Sequence, residues 1–431
     1  MADVSPFRGI RYAGHLSLDD LVSPPYDVIS AAQAAVLRAR SPYNAVHVDM
    51  PVTPGEAPDD SAYERSAALF RAWQADGVLR HDEEPALYLV EQSYVGPDGQ
   101  QRTRRGFVAR LRLAALDEGV VRPHERTHAG PKVDRLKLYR HAHADLSQIF
   151  LLFPDDDGTV ARELAAAAAP ESAARQARDA DGNVHRLTRL GGAPAERIAA
   201  ALAGRPVYIA DGHHRYETAL AYRDERRAAG DGSADTLMVY LCSLDDPGLM
   251  VFPTHRLVKG FVPPPVGDTV DLLRPHFEFV GEPLRGLDAA AAAFETLPEQ
   301  DDPGQVFGLY LVREQTGLLI RTRHDAATDS LLAAGHSPET AALSVNVLHD
   351  LVLTDALGMD PAAEEQQVEY VKNVPDAVAA LAGGGYELGA FLNATGVDQV
   401  RAVADAGETM PQKSTYFYPK LLTGLVFDAL G

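Results

Sequence analysis

Two hydrophobic periods take turns along the first half of the chain. Residues 86–94 and 101–113 read as strands, and Gly96-Pro97-Asp98-Gly99 between them supplies the turn residues of a hairpin. Residues 31–40 and 62–76 space their apolar positions as helices do, and Ser41-Pro42 stops the first of them. Residues 47–51 alternate like a short strand, and 54–60 form a loop. A hydrophobic strand over 147–153 is closed by Pro154-Asp155-Asp156-Asp157. The alanine-rich stretch 159–178 predicts a helix broken at Pro170. Further on, the pattern predicts a strand over 184–190, a helix over 193–203, a short buried strand over 207–210, a helix over 215–229 and a strand over 238–244. The mixture of hairpins and helices predicts an α+β protein. At Pro263-Pro264-Pro265-Val266-Gly267 the composition shifts, which divides the chain into an N-terminal region, 1–261, and a C-terminal α/β region, 262–431.

Charge narrows the partners. The chain has 40 Lys and Arg against 61 Asp and Glu, a net charge of −21. Such a surface repels phosphate backbones and anionic lipid heads, so neither nucleic acid nor a membrane is the expected partner. A single cysteine, Cys242, excludes an internal disulfide and any multi-cysteine metal site. No apolar run reaches the roughly 18–20 residues that span a bilayer. Met1 to Pro6 lacks a basic segment followed by an apolar one, so the expected location is the cytoplasm.

The segment richest in chemistry is Val207 to Ala219. Four apolar residues run into Asp211-Gly212-His213-His214-Arg215 and then into a helix. The N–H groups of a helix entry point outward and carry the positive end of its dipole, which suits an anion. Gly212 lets a phosphate approach the backbone, Arg215 offers a planar fork of donors, and Asp211 is a carboxylate able to hold Mg²⁺ against the same phosphates. A basic stretch lies earlier, and within it Arg126, Thr127 and Lys132 adjoin Pro123-His124-Glu125. Residues 132–137 read as the start of a helix with a charged face. Near the C-terminus, Lys413, Ser414 and Thr415 form a donor-rich group suited to one phosphate or a carboxylate. The aromatic residues after them either stack on an adenine or fill a core. Asp27 is a further carboxylate in a turn, His255 and Arg256 follow a strand, and His349 lies on a helix.

Asp211-Gly212-His213-His214-Arg215 resembles the phosphate-binding strand–loop–helix of the ParB/sulfiredoxin-like superfamily. It is most similar to that of the free-serine kinases, whose loop reads Asp-Gly-His-x-Arg. Pro123-His124-Glu125 is similar to a Pro-His-Glu segment of the same kinases, whose Glu is the base on the substrate hydroxyl. The intervening stretch is longer here than in the small kinases, so an insertion loops out between the two motifs. Over its whole length the chain resembles a bacterial and archaeal family catalogued as domain of unknown function 1015. Pro6-Phe7-Arg8, Pro24-Pro25-Tyr26-Asp27-Val28, Pro42-Tyr43-Asn44, Pro253-Thr254-His255-Arg256-Leu257 and the segment from Pro411 to Lys420 carry that likeness.

The resemblance implies a ParB/sulfiredoxin-like nucleotide domain, over about 105–261, and a kinase that uses ATP or ADP with Mg²⁺ on a small hydroxylated acceptor, free L-serine first. Glu125, Asp211 and His213 would be catalytic. Gly212, His213, His214, Arg215, His124, Arg126, Thr127 and Lys132 would bind the nucleotide, Lys413, Ser414 and Thr415 the acceptor or its phosphate, and Asp211 the metal. Sulfiredoxins place a reactive Cys just before the His-Arg pair; His213 stands there instead, so a thiol reductase is not expected. Two other readings stay open: a metal-dependent hydrolase built on His124, His128, His213 and His214, and a nucleotide sensor without turnover.

Overall fold

The structure, a computed structural model, describes residues 2–53, 59–125, 127, 129–168, 174–298 and 304–430. Arg126 and His128 lie outside them. The chain is a mixed α/β protein with several sheets, and it divides into two compact units. The first comprises Met1–Pro123, Thr127–Met250 and Pro419–Gly431; the second comprises His124–Arg126 and Val251–Tyr418. The division therefore crosses the chain several times.

Among the described residues the first unit has a nine-stranded sheet. In chain order its strands are β1 (Val4–Ser5), β2 (Leu87–Val95), β3 (Gln101–Arg112), β4 (Val121–Arg122), β5 (Ile149–Phe153), β6 (Arg175–Arg178), β7 (Val184–Leu190), β8 (Val207–Asp211) and β9 (Thr236–Ser243). They lie in the order β4-β8-β5-β9-β3-β2-β7-β6, with β1 against β3. Only β4–β8 and β5–β9 run parallel; the remaining pairs are antiparallel. All five residues of β5 are buried, as expected of a strand covered on both faces.

The unit's main helices are α1 (Ala31–Arg40), α2 (Asp60–Ala75), α3 (Ala129–Ala142), α4 (Thr159–Ala167), α5 (Ala193–Leu202) and α6 (His213–Ala228). Ser30 and Gln33 close a capping box on α1. Helix α6 turns Tyr216, Ala219 and Tyr222, spaced three apart, onto the core that holds Phe107, Phe153 and Ile209. Burial of each large apolar side chain contributes about 1.5–3 kcal/mol. Tyr222 also stacks on Tyr139 of α3, with ring centroids 5.3 Å apart.

The chain's last residues return to this unit. Phe427 pairs with Ile10 and Thr423 with Ser23 across isolated bridges, and Asp428 accepts two hydrogen bonds from Arg110.

Four local expectations change. Residues 46–49 are helical (Val46–Asp49), because Asn44 caps the turn through the Val46 N–H and both valines are buried. Helix α4 ends at Ala167, and Arg175–Arg178 is a strand paired with β7. Helix α3 begins at Ala129, before the charged run, with Gly130 and Pro131 inside its first turn. Helix α6 starts at His213, so the two histidines are helical.

The second unit, again among the described residues, has a seven-stranded antiparallel sheet. Its order is Phe277–Phe279, Thr316–Thr322, Val306–Leu311, Leu388–Phe391, His255–Val258 and Val368–Val371, with Leu284–Arg285 also on Thr316–Thr322. Residues Val347–Ala356 form a π-helix. Among the described residues no helix is long and apolar enough to cross a membrane.

Candidate functional site

β8 brings the chain from the sheet interior to its edge. Tyr208 faces Leu152 and Ile209 faces Leu151 on β5; the register then slips, and Asp211 stands opposite Phe150. Such a bulge bends a strand and re-aims the side chain after it. Gly212 follows in the left-handed region, φ +97° and ψ 29°. Glycine takes this conformation without penalty, and space demands it too: a Cβ here would lie 3.1 Å from Nε and Nη2 of Arg215. Gly212 accepts the Tyr216 N–H at 2.9 Å through its carbonyl but has no side chain to cap the helix. The sixteen-residue helix α6 therefore opens on a glycine, at the positive end of its dipole.

Beneath that turn lies a layer of buried charge. Arg215 is 6% exposed and donates Nη1–H to the Gln148 carbonyl at 2.6 Å. Burial pulls its guanidinium pKa down, but Asp211, Asp27, Tyr26 and Asp49 outweigh this and hold it above its ordinary value. Arg135 donates to the carboxylates of Asp49 and Asp134 and lies over the Tyr26 ring at 3.8 Å. A cavity of about 20 Å³ between Arg215, Arg135 and Asp49 is large enough for one water.

Asp211 is already balanced by cations. Its Oδ2 accepts from Lys420 Nζ at 2.8 Å, and its Oδ1 lies 3.9 Å from Arg215 Nη2. Among the described residues no group of three or more His, Cys, Asp or Glu is arranged to hold a metal ion. Asp211 is a counter-ion to Lys420 and Arg215 here. The four-histidine metal centre gains no support either, and its His128 falls outside the described residues.

Two further groupings place the remaining predicted residues. In the first unit, the Thr127 hydroxyl donates to the Glu217 carboxylate, at 2.8 Å to Oε2. Lys132 Nζ donates to the same Oε2 at 2.7 Å and to Thr127 Oγ1 at 3.1 Å. Glu217 sits one helical turn after His213, and His214 is half-buried with its carbonyl accepting from Thr218.

In the second unit, His124 and Glu125 meet the C-terminal donor segment. Met410 N–H donates to the His124 carbonyl, Glu125 bridges Met410, and the His124 ring nitrogen Nε2 lies 3.1 Å from Thr415 Oγ1. Lys413 adopts a left-handed φ of +57°, and its carbonyl accepts from Thr254. Ser414 is buried and donates its hydroxyl to the Pro411 carbonyl at 2.6 Å. Cys242 is fully buried on β9, and burial pushes its thiol pKa well up, as suits a core residue.

The structure thus assembles the Asp211–Arg215 loop with Lys420 in one place, Thr127 with Lys132 in another, and His124 and Glu125 with Lys413–Thr415 in a third. Sequence reasoning missed Glu217 and Lys420. The helical spacing from His213 could have signalled the first. Lys420 closes the Pro411–Lys420 segment, but nothing in the sequence pairs it with Asp211.

No curated protein matches the chain. Solved structures similar to it include a conserved hypothetical protein from Pyrococcus furiosus, at 14% identity and TM-score 0.33, covering 71% of this chain and 90% of that one. A free serine kinase in complex with AMP is 15% identical with TM-score 0.34, covering 73% of this chain and 89% of that one. SbnI with a C-terminal truncation, from Staphylococcus aureus, is 12% identical with TM-score 0.35, covering 72% and 84%. All three superpose too loosely to carry an argument. The family model described as "protein of unknown function (DUF1015)" matches residues 4–346, and the chain belongs to that family.

Proposed function

We propose that this protein is a phosphotransferase that moves a phosphoryl group from ATP or ADP to the hydroxyl of a small molecule, with free L-serine as the leading acceptor. The observation that carries the reading is the left-handed Gly212 that joins a buried strand to the positive dipole end of the sixteen-residue helix α6. This is a cradle for an anion, and it forms on the residues that resemble a phosphate loop of the ParB/sulfiredoxin-like kind.

On this reading Gly212, His213, His214 and Arg215 hold the donor phosphates, and Thr127 and Lys132 add donors. Glu125, oriented by its strand-like pairing to Met410, takes the proton of the acceptor hydroxyl. The acceptor oxygen forms a bond to the terminal phosphorus, the bond from that phosphorus to the bridging oxygen breaks, and the nucleotide leaves one phosphate shorter. Lys413, Ser414 and Thr415 hold the acceptor. The serine assignment rests on the likeness of the two motifs alone.

Incubation of the purified protein with serine and the magnesium salt of ATP or ADP, read by mass spectrometry, tests the proposal. Phosphoserine with matching ADP or AMP is the expected result. Calorimetry showing that neither nucleotide binds overturns it, and saturable binding without turnover leaves a nucleotide sensor instead.

A further inference from the structure

The second unit contains a separate cavity of about 670 Å³, within the roughly 300–1,000 Å³ of small-molecule sites. Its wall is chemically one-sided. It carries the carboxylates of Asp350, Asp360, Glu364 and Glu408 and, among the described residues, no lysine or arginine. One side is the π-helix Val347–Ala356, which contributes His349, Asp350, Leu353 and Thr354. The wide π turn is uncommon and recurs at functional sites.

Two histidines on this wall are each held by a carboxylate. His336 Nε2 lies 2.6 Å from Asp350 Oδ2, and His349 Nδ1 lies 3.1 Å from Glu364 Oε2. Glu364 is fixed in turn by the Tyr370 hydroxyl at 2.5 Å. A carboxylate only accepts, so Nδ1 of His349 carries a proton, and the ring in its neutral form presents Nε2 as a lone pair. That atom is buried on a residue 8% exposed, and it has no hydrogen-bond partner among the described residues. Buried polar atoms left unmatched are rare and call for a ligand or an ordered water. Acidic walls that also offer a neutral acceptor fit a ligand that brings both positive charge and N–H donors. A phosphate or carboxylate ligand meets no lysine or arginine among the described lining residues.

We propose that this cavity binds a small organic cation bearing primary ammonium groups, with His349 Nε2 accepting an ammonium N–H and the surrounding carboxylates balancing its charge. The Glu364–His349 pair fixes the ring tautomer that makes this possible. The site is independent of the phosphotransfer reading and can stand or fall alone.

Isothermal titration of the full-length protein with spermidine, at about 150 mM salt to screen the acidic surface, tests it. Saturable binding with one site is expected, together with none for 1,4-butanediol, which lacks the ammonium groups, or for inorganic phosphate. His349→Ala and Glu364→Gln should each weaken spermidine by about tenfold or more, the loss of one charge-assisted contact. Thr354→Leu, which puts a larger side chain into the cavity at a residue outside the two histidine–carboxylate pairs, should abolish binding. It decides the matter if the His349 variant does not fold. Heats that fail to saturate, or that are unchanged in Thr354→Leu, overturn the proposal, and so does saturable phosphate binding in the same cavity.

Discussion

Gly212 and Lys413 both place the backbone in the left-handed region beside a predicted anion site, yet with opposite residue types. At Gly212 the conformation costs nothing, and the Arg215 guanidinium would crowd any Cβ. At Lys413 the same region costs a residue with a Cβ roughly 1–2 kcal/mol. Glycine is chosen there for what the backbone must do. Lysine stands at the other turn despite this backbone cost. Hydrogen bonds hold the second turn in shape: Thr254 donates to the Lys413 carbonyl and Ser414 to Pro411. The first is held by a bulged strand and a long helix instead.

The largest effect should come from the partner of the second turn. Glu125→Gln is expected to slow phosphoryl transfer by roughly 10²–10⁴ while leaving nucleotide affinity nearly unchanged; steady-state kinetics with calorimetry separates the two, and an unaltered kcat removes Glu125 from the mechanism. Next, Arg215→Ala should weaken nucleotide binding by about 1.5–3 kcal/mol. A thermal melt is needed beside the calorimetry, because the Gln148 contact is lost as well. Gly212→Ala should lower stability by about 1–3 kcal/mol and reduce nucleotide affinity with it. If alanine were neutral in both, the contrast with Lys413 would collapse. The smallest change is expected from Lys413→Gly. Relief of the left-handed strain, less the extra entropy of glycine, should leave stability equal or higher by up to about 1 kcal/mol. Acceptor KM should rise all the same, and an unchanged KM would show the lysine to be incidental.

Much of the first unit is legible from its residues. The period-two run at Val184–Leu190 predicts its strand to the residue, and the buried strand before Asp211 is visible from its four apolar side chains. The misread pieces lack a local signal. Arg175–Arg178 buries only Ala177, and its strand exists because β7 offers an edge and Arg175 donates to the carbonyls of Tyr12 and Leu16. Val46–Asp49 alternates in polarity but is bent into a helical turn by the Asn44 cap. The strand–glycine–helix turn follows from the order Asp211-Gly212-His213. The cations around it do not, because Lys420 comes from 209 positions away and finds Asp211 only through the fold.

That distance has a temporal side. A ribosome releases the first unit's strands early, but Lys420, Thr423, Phe427 and Asp428 leave the exit tunnel only after all of Val251–Tyr418 has been made. Until then Arg110 lacks its carboxylate, Ile10 lacks its bridge to Phe427 and Asp211 lacks its lysine. The loop's charge balance is therefore set only after the second unit's long stretch has been made, and a nascent chain stalled short of Pro419 holds an unfinished first unit however long it waits.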